Sequence, residues 1–275
     1  MPRTATLGIS TAALFPRPLD DIFTILRQQP ARHVELMPQS PAECRPSFAV
    51  QLKVVGGPDF TISSIHFPLI LHAFLFNPYP SAREYGRQLC RDLAGLAGAL
   101  GSIVIVIHSP SAKMSGPEFL AVARENMAYL CDLCADQGTV VALEHTESGA
   151  ARTVPQMLEW ADAICHPNLG FTLDITHAHK IGADPVDFIT GLPKLVHIHA
   201  SDYDPVLGQH LPPGTGEVDW SRVSQALDRS GFQGQVVLEL STSTIGADVV
   251  HTLHQSVAFL ASTLGVALPE TGSGA

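Results

Sequence analysis

Six short apolar runs in this sequence end on or beside a histidine, an aspartate or a glutamate. These residues are His66, His108, Glu144, Asp174, His199 and Glu239. Imidazole nitrogens and carboxylate oxygens are common protein ligands of divalent metal ions. A buried carboxylate without a partner costs several kcal/mol, and no arginine or lysine stands at these positions to neutralise it. A divalent metal ion is therefore the simplest counter-charge.

The donor types narrow the choice of metal. Three carboxylates and one imidazole form a fairly hard ligand set that suits Mn²⁺ or Zn²⁺, with Mg²⁺ or Co²⁺ as further options. This set consists of Glu144, Asp174, His199 and Glu239. The residues that could surround it are His66, His108, His177, His210 and Lys180. The histidines of this ring would hold a second, nitrogen-rich site that favours Zn²⁺, or the ring would bind substrate oxygens, and the spacing leaves both interpretations open.

Alternation along a strand sorts the remaining histidines. His197 shares a face with His199 and should lie one layer deeper, whereas His145 should turn away from Glu144. We expect His177 in the loop after Asp174. The other histidines are predicted to be packing or surface residues: His33, His72, His166, His179, His251 and His254. Cys131 and Cys134 form a single CxxC inside a helical pattern, which favours a structural role.

These candidates stand on a regular alternation of strand-like and helix-like segments. The predicted strands are 5–10, 33–37, 61–67, 102–109, 139–146, 170–177, 195–201 and 234–241. The predicted helices are 19–29, 43–54, 81–100, 115–137, 153–165, 184–190, 219–230 and 246–263. Eight such units predict a closed (β/α)₈ barrel, a TIM barrel, in a single domain over 1–266, with a flexible tail over 267–275. A doubly wound open sheet is disfavoured because no Gly-rich phosphate turn follows any strand.

The net charge and the residue composition limit the kinds of molecule that this protein is expected to bind. The formal net charge is −10 and charged residues make up 15% of the chain, with lysines only at 53, 113, 180 and 194. Such a surface repels phosphate backbones, so we expect small ligands rather than nucleic acid. No run is apolar enough to span a membrane, and the first ten residues have no signal-peptide pattern, so we expect a cytoplasmic protein. A monomer and a homo-oligomer both remain open.

Five motifs then point to a family. ALEHT, LDITHAHKIGADP, HIHASD, HLPPGTGEVDW and VVLEL resemble the xylose isomerase-like barrel superfamily, which includes sugar isomerases and epimerases and the endonuclease IV type of AP endonuclease. In the epimerase branch the resemblance implies a metal on Glu144, Asp174, His199 and Glu239, with the two glutamates in acid–base roles. It also implies that His177 contacts a substrate oxygen. Ketohexose epimerases usually carry an arginine where this chain has Pro205, so that substrate is in doubt.

The leading hypothesis is a metal-dependent isomerase or epimerase of a sugar or sugar phosphate. Glu144 and Glu239 would move a proton through an enediolate stabilised by the metal. One alternative is a zinc-dependent phosphoester hydrolase of the AP-endonuclease type, for which eight of nine ligands match, Gly208 replacing an aspartate. A polyol dehydratase and a non-catalytic binding protein are the others. We expect Phe15, Met37 and 241–244 to shape specificity.

Overall fold

The computed structural model describes residues 4–114 and 116–268. Eight parallel strands close into a barrel in the order β1-β10-β7-β6-β5-β4-β3-β2, which confirms the predicted fold. The barrel strands are β1 Thr6–Ser10, β2 His33–Leu36, β3 Thr61–His66, β4 Val104–His108, β5 Val140–Glu144, β6 Leu169–Asp174, β7 Leu195–Ala200 and β10 Gln235–Leu238. A two-stranded antiparallel hairpin of β8 Asp202–Asp204 and β9 Gly208–Leu211 follows β7.

Helices cover the outside of the barrel. Their bounds are α1 Leu19–Leu26, α2 Phe48–Gly56, α3 His72–Phe76, α4 Pro80–Leu100, α5 Pro117–Ala135, α6 Val154–Ile164, α7 Ile175–Lys180, α8 Pro185–Gly191, α9 Trp220–Ser230 and α10 Val249–Leu264. Local chemistry sets several of these ends. Thr153 and Gln156 form a capping box at α6, and Asp219 caps α9. Gly101 takes the left-handed conformation (φ 72°) that ends α4.

The structure differs from the sequence prediction at the end of the sixth strand and in three short elements elsewhere. The strand predicted over 170–177 ends at Asp174, and α7 begins at once, so His177 lies in a helix rather than in a loop. The physical reason is the Asp174 side chain, which accepts a hydrogen bond from the His177 backbone N–H and starts the helix. Helix α3 and the β8–β9 hairpin were not predicted.

Two apolar clusters fill the fold at different levels. The main cluster packs barrel strands against the surrounding helices and includes Phe23, Leu93 and Leu253. A separate small cluster of Val104, Val106 and Ala142 has Val196 packed against it. Because side chains alternate, Val106 shares a face with His108, and Ala142 with Glu144, so this cluster lies in the lumen beneath those polar side chains. The lumen thus holds an apolar cluster beneath the side chains of His108 and Glu144.

The last described residue and two cysteines of α5 pack in or against the main apolar cluster. Leu268 packs on the main cluster, and the rest of the predicted tail, 269–275, lies outside the described residues. Cys131 and Cys134 are buried in α5 with free thiols, in line with a structural role. Within the described ranges, no helix has the length and apolarity that crossing a bilayer requires.

Candidate metal centre

Four of the predicted ligands meet at the carboxyl ends of their strands. One donor atom from each of Glu144, Asp174, His199 and Glu239 lies within 4.8 Å of the others. Nδ1 of His199 is central: it lies 2.8 Å from Glu144 Oε1, 3.3 Å from Glu239 Oε2 and 3.8 Å from Asp174 Oδ2. Glu144 and Asp174 end β5 and β6, His199 is the next-to-last residue of β7, and Glu239 follows β10 directly. Parallel strands in a barrel bring such positions to one level, which is where barrel active sites are found.

The four-residue group has the chemistry that a cation would satisfy. Asp174 Oδ2 is buried and has no hydrogen-bond partner among the described residues, although it faces the other ligand atoms. Three carboxylates at this separation repel one another strongly. No arginine or lysine forms an ion pair with any of the three within the described parts of the chain. The donor set therefore fits a divalent metal ion.

The pKa values in the group follow from its charges. Burial alone would lower the pKa of His199, but Glu239, Glu144 and Glu35 outweigh it and raise that pKa well above its ordinary value. Burial would likewise raise the pKa of Glu144, but His199 and His108 hold it well below its ordinary value. Glu144 therefore stays ionised, as a carboxylate that binds a metal must be.

Glu144 also belongs to a second group of donor atoms. Its Oε2 lies 3.2 Å from His66 Nε2 and 2.9 Å from His108 Nε2. The three residues form a cluster whose ligand atoms lie within 4.8 Å of one another. Glu144 thus uses one oxygen toward His199 and the other toward this pair. The arrangement suits either a bridging carboxylate between two ions or two imidazoles that line a substrate site.

A third group joins Asp174 to one histidine on α7 and one on β9. Asp174, His177 and His210 also place ligand atoms within 4.8 Å of one another. His210 lies on β9 with φ 54°, a left-handed conformation rare for residues other than glycine. Its carbonyl accepts hydrogen bonds from the Ser241 N–H and the Thr244 hydroxyl, which fixes the hairpin to the loop after β10. The 241–244 segment therefore supports His210.

Lys180 lies near the mouth of the barrel and contacts Glu147, a residue that the sequence pattern does not single out. Its Nζ donates hydrogen bonds to Glu147 Oε1 and Gln209 Oε1, each at 2.7 Å. The other oxygen of Glu147 lies 2.7 Å from His177 Nδ1. Burial lowers the pKa of His177, but Asp174 and Glu147 outweigh it and raise the pKa to about 9. Glu147 follows β5 in a turn, and nothing in its local sequence pointed to this contact.

Glu35 on β2 is the other missed residue. Its side chain is fully buried, lies 2.9 Å from His197 Nε2, and accepts hydrogen bonds from His199 Nε2 at 3.1 Å and the Ser64 hydroxyl at 3.1 Å. Burial would raise the pKa of Glu35, but His199 and His197 hold it well below its ordinary value. Its signal was present, because HVELM is an apolar run that contains a carboxylate.

Two further histidines have the orientations that the alternation of side chains along a strand predicts. His197 points inward beneath His199, as expected, whereas His145 turns outward and stacks on Phe188 of α8. Burial lowers the pKa of His145 to about 4. His72, expected to be a packing residue, contacts the rings of Phe76 and His108.

The candidate centre opens into a cavity of about 320 Å³. Glu144, His177 and Glu239 line it, together with Met37 and Leu69 at the rim. A neighbouring cavity of about 600 Å³ is lined by Phe15 and also by Met37, so Met37 stands between the two. Met37 thus lines the cavity at the candidate centre, whereas Phe15 lines only the neighbouring cavity, and the role of both residues in specificity stays a prediction.

The comparisons with known proteins agree with this fold. The model of the family described as xylose isomerase-like TIM barrel matches residues 53–263, well over half of the chain. The chain belongs to this family. An uncharacterized protein of Mycobacterium tuberculosis is 27% identical over 260 residues, which cover 86% of this chain and 89% of that protein. A ketose 3-epimerase of Arthrobacter globiformis is 28% identical over 186 residues, 63% of this chain and 62% of its own length.

Solved structures show the same architecture. A D-tagatose 3-epimerase-like protein superimposes with a TM-score of 0.79 at 21% identity, covering 94% of this chain and 97% of its own. A probable 3-DHS dehydratase from Bacillus anthracis superimposes with a TM-score of 0.71 at 20% identity, covering 93% and 98%. At these identities the likeness shows the shared fold and leaves the reaction to the residues of the site.

Proposed function

We propose that this protein is a divalent-metal-dependent isomerase or epimerase that acts on a sugar or sugar phosphate. The observation that carries the proposal is the four-residue group at the barrel mouth, in which Glu144, Asp174, His199 and Glu239 converge within 4.8 Å. The ketose 3-epimerase relative and the D-tagatose 3-epimerase-like structure support the same class. The ligand set suits Mn²⁺ or Zn²⁺, with Mg²⁺ and Co²⁺ as alternatives.

The proposed chemistry is proton transfer at the carbon next to a carbonyl. Glu144, Asp174, His199 and Glu239 would hold the metal, which would act there as a Lewis acid toward the substrate carbonyl. One of Glu144 and Glu239 takes the proton from that carbon as a carboxylate, which leaves an enediolate, and the other returns a proton to complete the isomerisation or epimerisation. Glu239, with its side chain 12% exposed, faces the cavity more openly than Glu144, at 2%.

The surrounding residues would hold the substrate. His66, His108, His177 and Lys180 place nitrogens around the cavity or at its rim, where they can donate hydrogen bonds to hydroxyl or carbonyl oxygens. His177 is anchored through Glu147, and Lys180 through Glu147 and Gln209, so both donors are positioned before a ligand arrives.

A second candidate function is a zinc-dependent phosphoester hydrolase. It is favoured because the three groups of possible metal ligands share residues. Glu144 belongs both to the four-residue group and to the group with His66 and His108. Asp174 likewise belongs to the four-residue group and to the group with His177 and His210. Several closely spaced ions can stabilise both the attacking and the leaving oxygen of a phosphoryl group. A dehydratase is a third candidate, favoured by the fold shared with the probable 3-DHS dehydratase.

Deuterium exchange separates these candidates. The metal-loaded protein is incubated in D₂O with a panel of ketoses, their phosphates, 3-dehydroshikimate and phosphodiesters, and the products are followed by NMR. We expect one deuterium at the carbon beside the carbonyl of an epimerised or isomerised product, and loss of this exchange on chelation. Glu239→Gln should slow it by at least about 100-fold, whereas the exposed Glu118→Gln should not. Water elimination or phosphate release without exchange would contradict the proposal.

A further inference from the structure

Glu35 lies outside the four-residue group but is joined to it through one imidazole ring. Nδ1 of His199 faces Glu144, Asp174 and Glu239, and Nε2 on the other side of the ring hydrogen-bonds Glu35 Oε1 at 3.1 Å. Glu35 comes from β2 and His199 from β7, strands that are not neighbours in the barrel. The contact therefore crosses the lumen beneath the candidate metal centre.

Glu35 is itself held by its neighbours. Its Oε2 accepts a hydrogen bond from Ser64 at 3.1 Å and lies 2.9 Å from His197 Nε2. All four side chains are buried, with 0% exposure for each residue. A carboxylate fixed by contacts on both oxygens has little freedom to turn away from His199. Glu35 thus forms a rigid acceptor below the ring.

This geometry decides which ring nitrogen of His199 is free to bind a metal. An ionised carboxylate only accepts hydrogen bonds, so the contact with Glu35 places the proton on Nε2. In the neutral ring the lone pair then stands on Nδ1, which is the nitrogen that faces the three carboxylates. A carboxylate behind a metal-binding histidine orients the ring and makes it a stronger ligand.

We propose that Glu35 is a positioning residue that fixes the tautomer and orientation of His199 for metal binding. The inference rests on the proposed function, because it assigns His199 as a ligand. Glu35 acts through His199 and does not touch the substrate.

The same three residues also satisfy the geometry of a separate ion site, since Glu35, His197 and His199 place ligand atoms within 4.8 Å of one another. We favour the hydrogen-bonded arrangement because Glu35 accepts hydrogen bonds from His199 Nε2 and from the Ser64 hydroxyl, each at 3.1 Å. An ion at this position would have to enter a fully buried space. A metal count distinguishes the two arrangements.

The test compares Glu35→Gln with Ser64→Ala, which removes a contact to the Glu35 oxygen that His199 does not use. Mn²⁺ and Zn²⁺ affinities are measured by titration calorimetry, and the coordination is followed through the visible spectrum of the Co²⁺-loaded protein. Glu35→Gln should weaken metal binding by about 10- to 100-fold and shift the Co²⁺ spectrum. Ser64→Ala should leave both nearly unchanged, and the number of ions per chain should be the same in all three proteins.

A measurement on the wild type guards against a variant that fails to fold. In ¹⁵N-histidine-labelled, Zn²⁺-loaded protein, His199 should carry its proton on Nε2 and bind zinc through Nδ1. The opposite tautomer would overturn the inference, as would unchanged affinity in Glu35→Gln, equal losses in both variants, or one ion fewer in Glu35→Gln. Absence of metal binding by the folded wild type would overturn the proposed function and this inference with it.

Discussion

Asparagine in place of Asp174 should separate metal binding from folding. Asp174 Oδ1 accepts the His177 N–H at 2.7 Å at the start of α7, and asparagine caps helices as well as aspartate does. Asp174 Oδ2 has no hydrogen-bond partner among the described residues, so the amide breaks no other hydrogen bond there. The substitution therefore removes one negative charge while the local structure is kept.

The charges around Asp174 predict that the substitution has only a modest effect on the metal-free protein. At an effective dielectric constant of about 20, attraction to His199 at 3.8 Å is worth about 4 kcal/mol. Each carboxylate oxygen of Glu144 and Glu239 within 4.8 Å repels it by at least about 3 kcal/mol. His177 and His210 add further attraction, and although burial would raise the pKa of Asp174, these charges together hold it below its ordinary value. The metal-free Asp174→Asn protein should therefore lose a modest amount of unfolding free energy, about 1–2 kcal/mol.

Metal should stabilise the wild type much more than the variant. At a metal concentration 100 times the wild-type Kd, binding adds about 2.7 kcal/mol, which raises Tm by about 5–8 °C. If the variant binds about 100-fold more weakly, it gains only about 0.4 kcal/mol at the same concentration. Thermal unfolding followed by circular dichroism, with chelator and with Mn²⁺ or Zn²⁺, measures both effects. The exposed Asp162→Asn is the matched control. A full metal-dependent rise in Asp174→Asn would refute this reasoning.

Three further outcomes are expected, all measured with chelator present. Leu93→Ala, in the buried face of α4, should lower the unfolding free energy by about 2–5 kcal/mol in urea titrations, and a loss below 1 kcal/mol would contradict the packing. His145, whose pKa falls to about 4, contributes stability that is complete above about pH 6.5 and is lost as pH falls toward 4, by up to about 3 kcal/mol. His145→Gln should remove that slope, and an unchanged slope would show that other groups cause it. Glu147→Gln should lower the pKa of His177 from about 9, because a neighbouring negative charge is lost, and an NMR titration that still gives about 9 would contradict the contact.

The barrel and the four-residue group were accessible from sequence for one physical reason. Parallel strands align their carboxyl ends, so ligand residues at the ends of successive apolar runs must meet. The register observed between Asp174 and His199, and between His108 and Glu144, confirms this alignment. The metal roles of these residues stay a prediction until an ion is measured.

Other parts of the site depend on contacts that strand periodicity does not encode. Strand periodicity predicts a loop at His177, because it carries no sign that the Asp174 side chain caps a helix there. Glu147 reaches His177 only through the path of the turn after β5. Glu35 could have been found by the criterion that selected Glu144, a carboxylate inside an apolar run, but its partners lie on β7, more than 160 positions away in sequence.

Anomalous diffraction from crystals of the Mn²⁺-loaded protein, with data collected on both sides of the manganese edge, tests the central claim most directly. One strong peak is expected within coordination distance of Glu144, Asp174, Nδ1 of His199 and Glu239. A map with no peak at this position, or with ions only beside His66 and His108 or beside His177 and His210, would contradict the account.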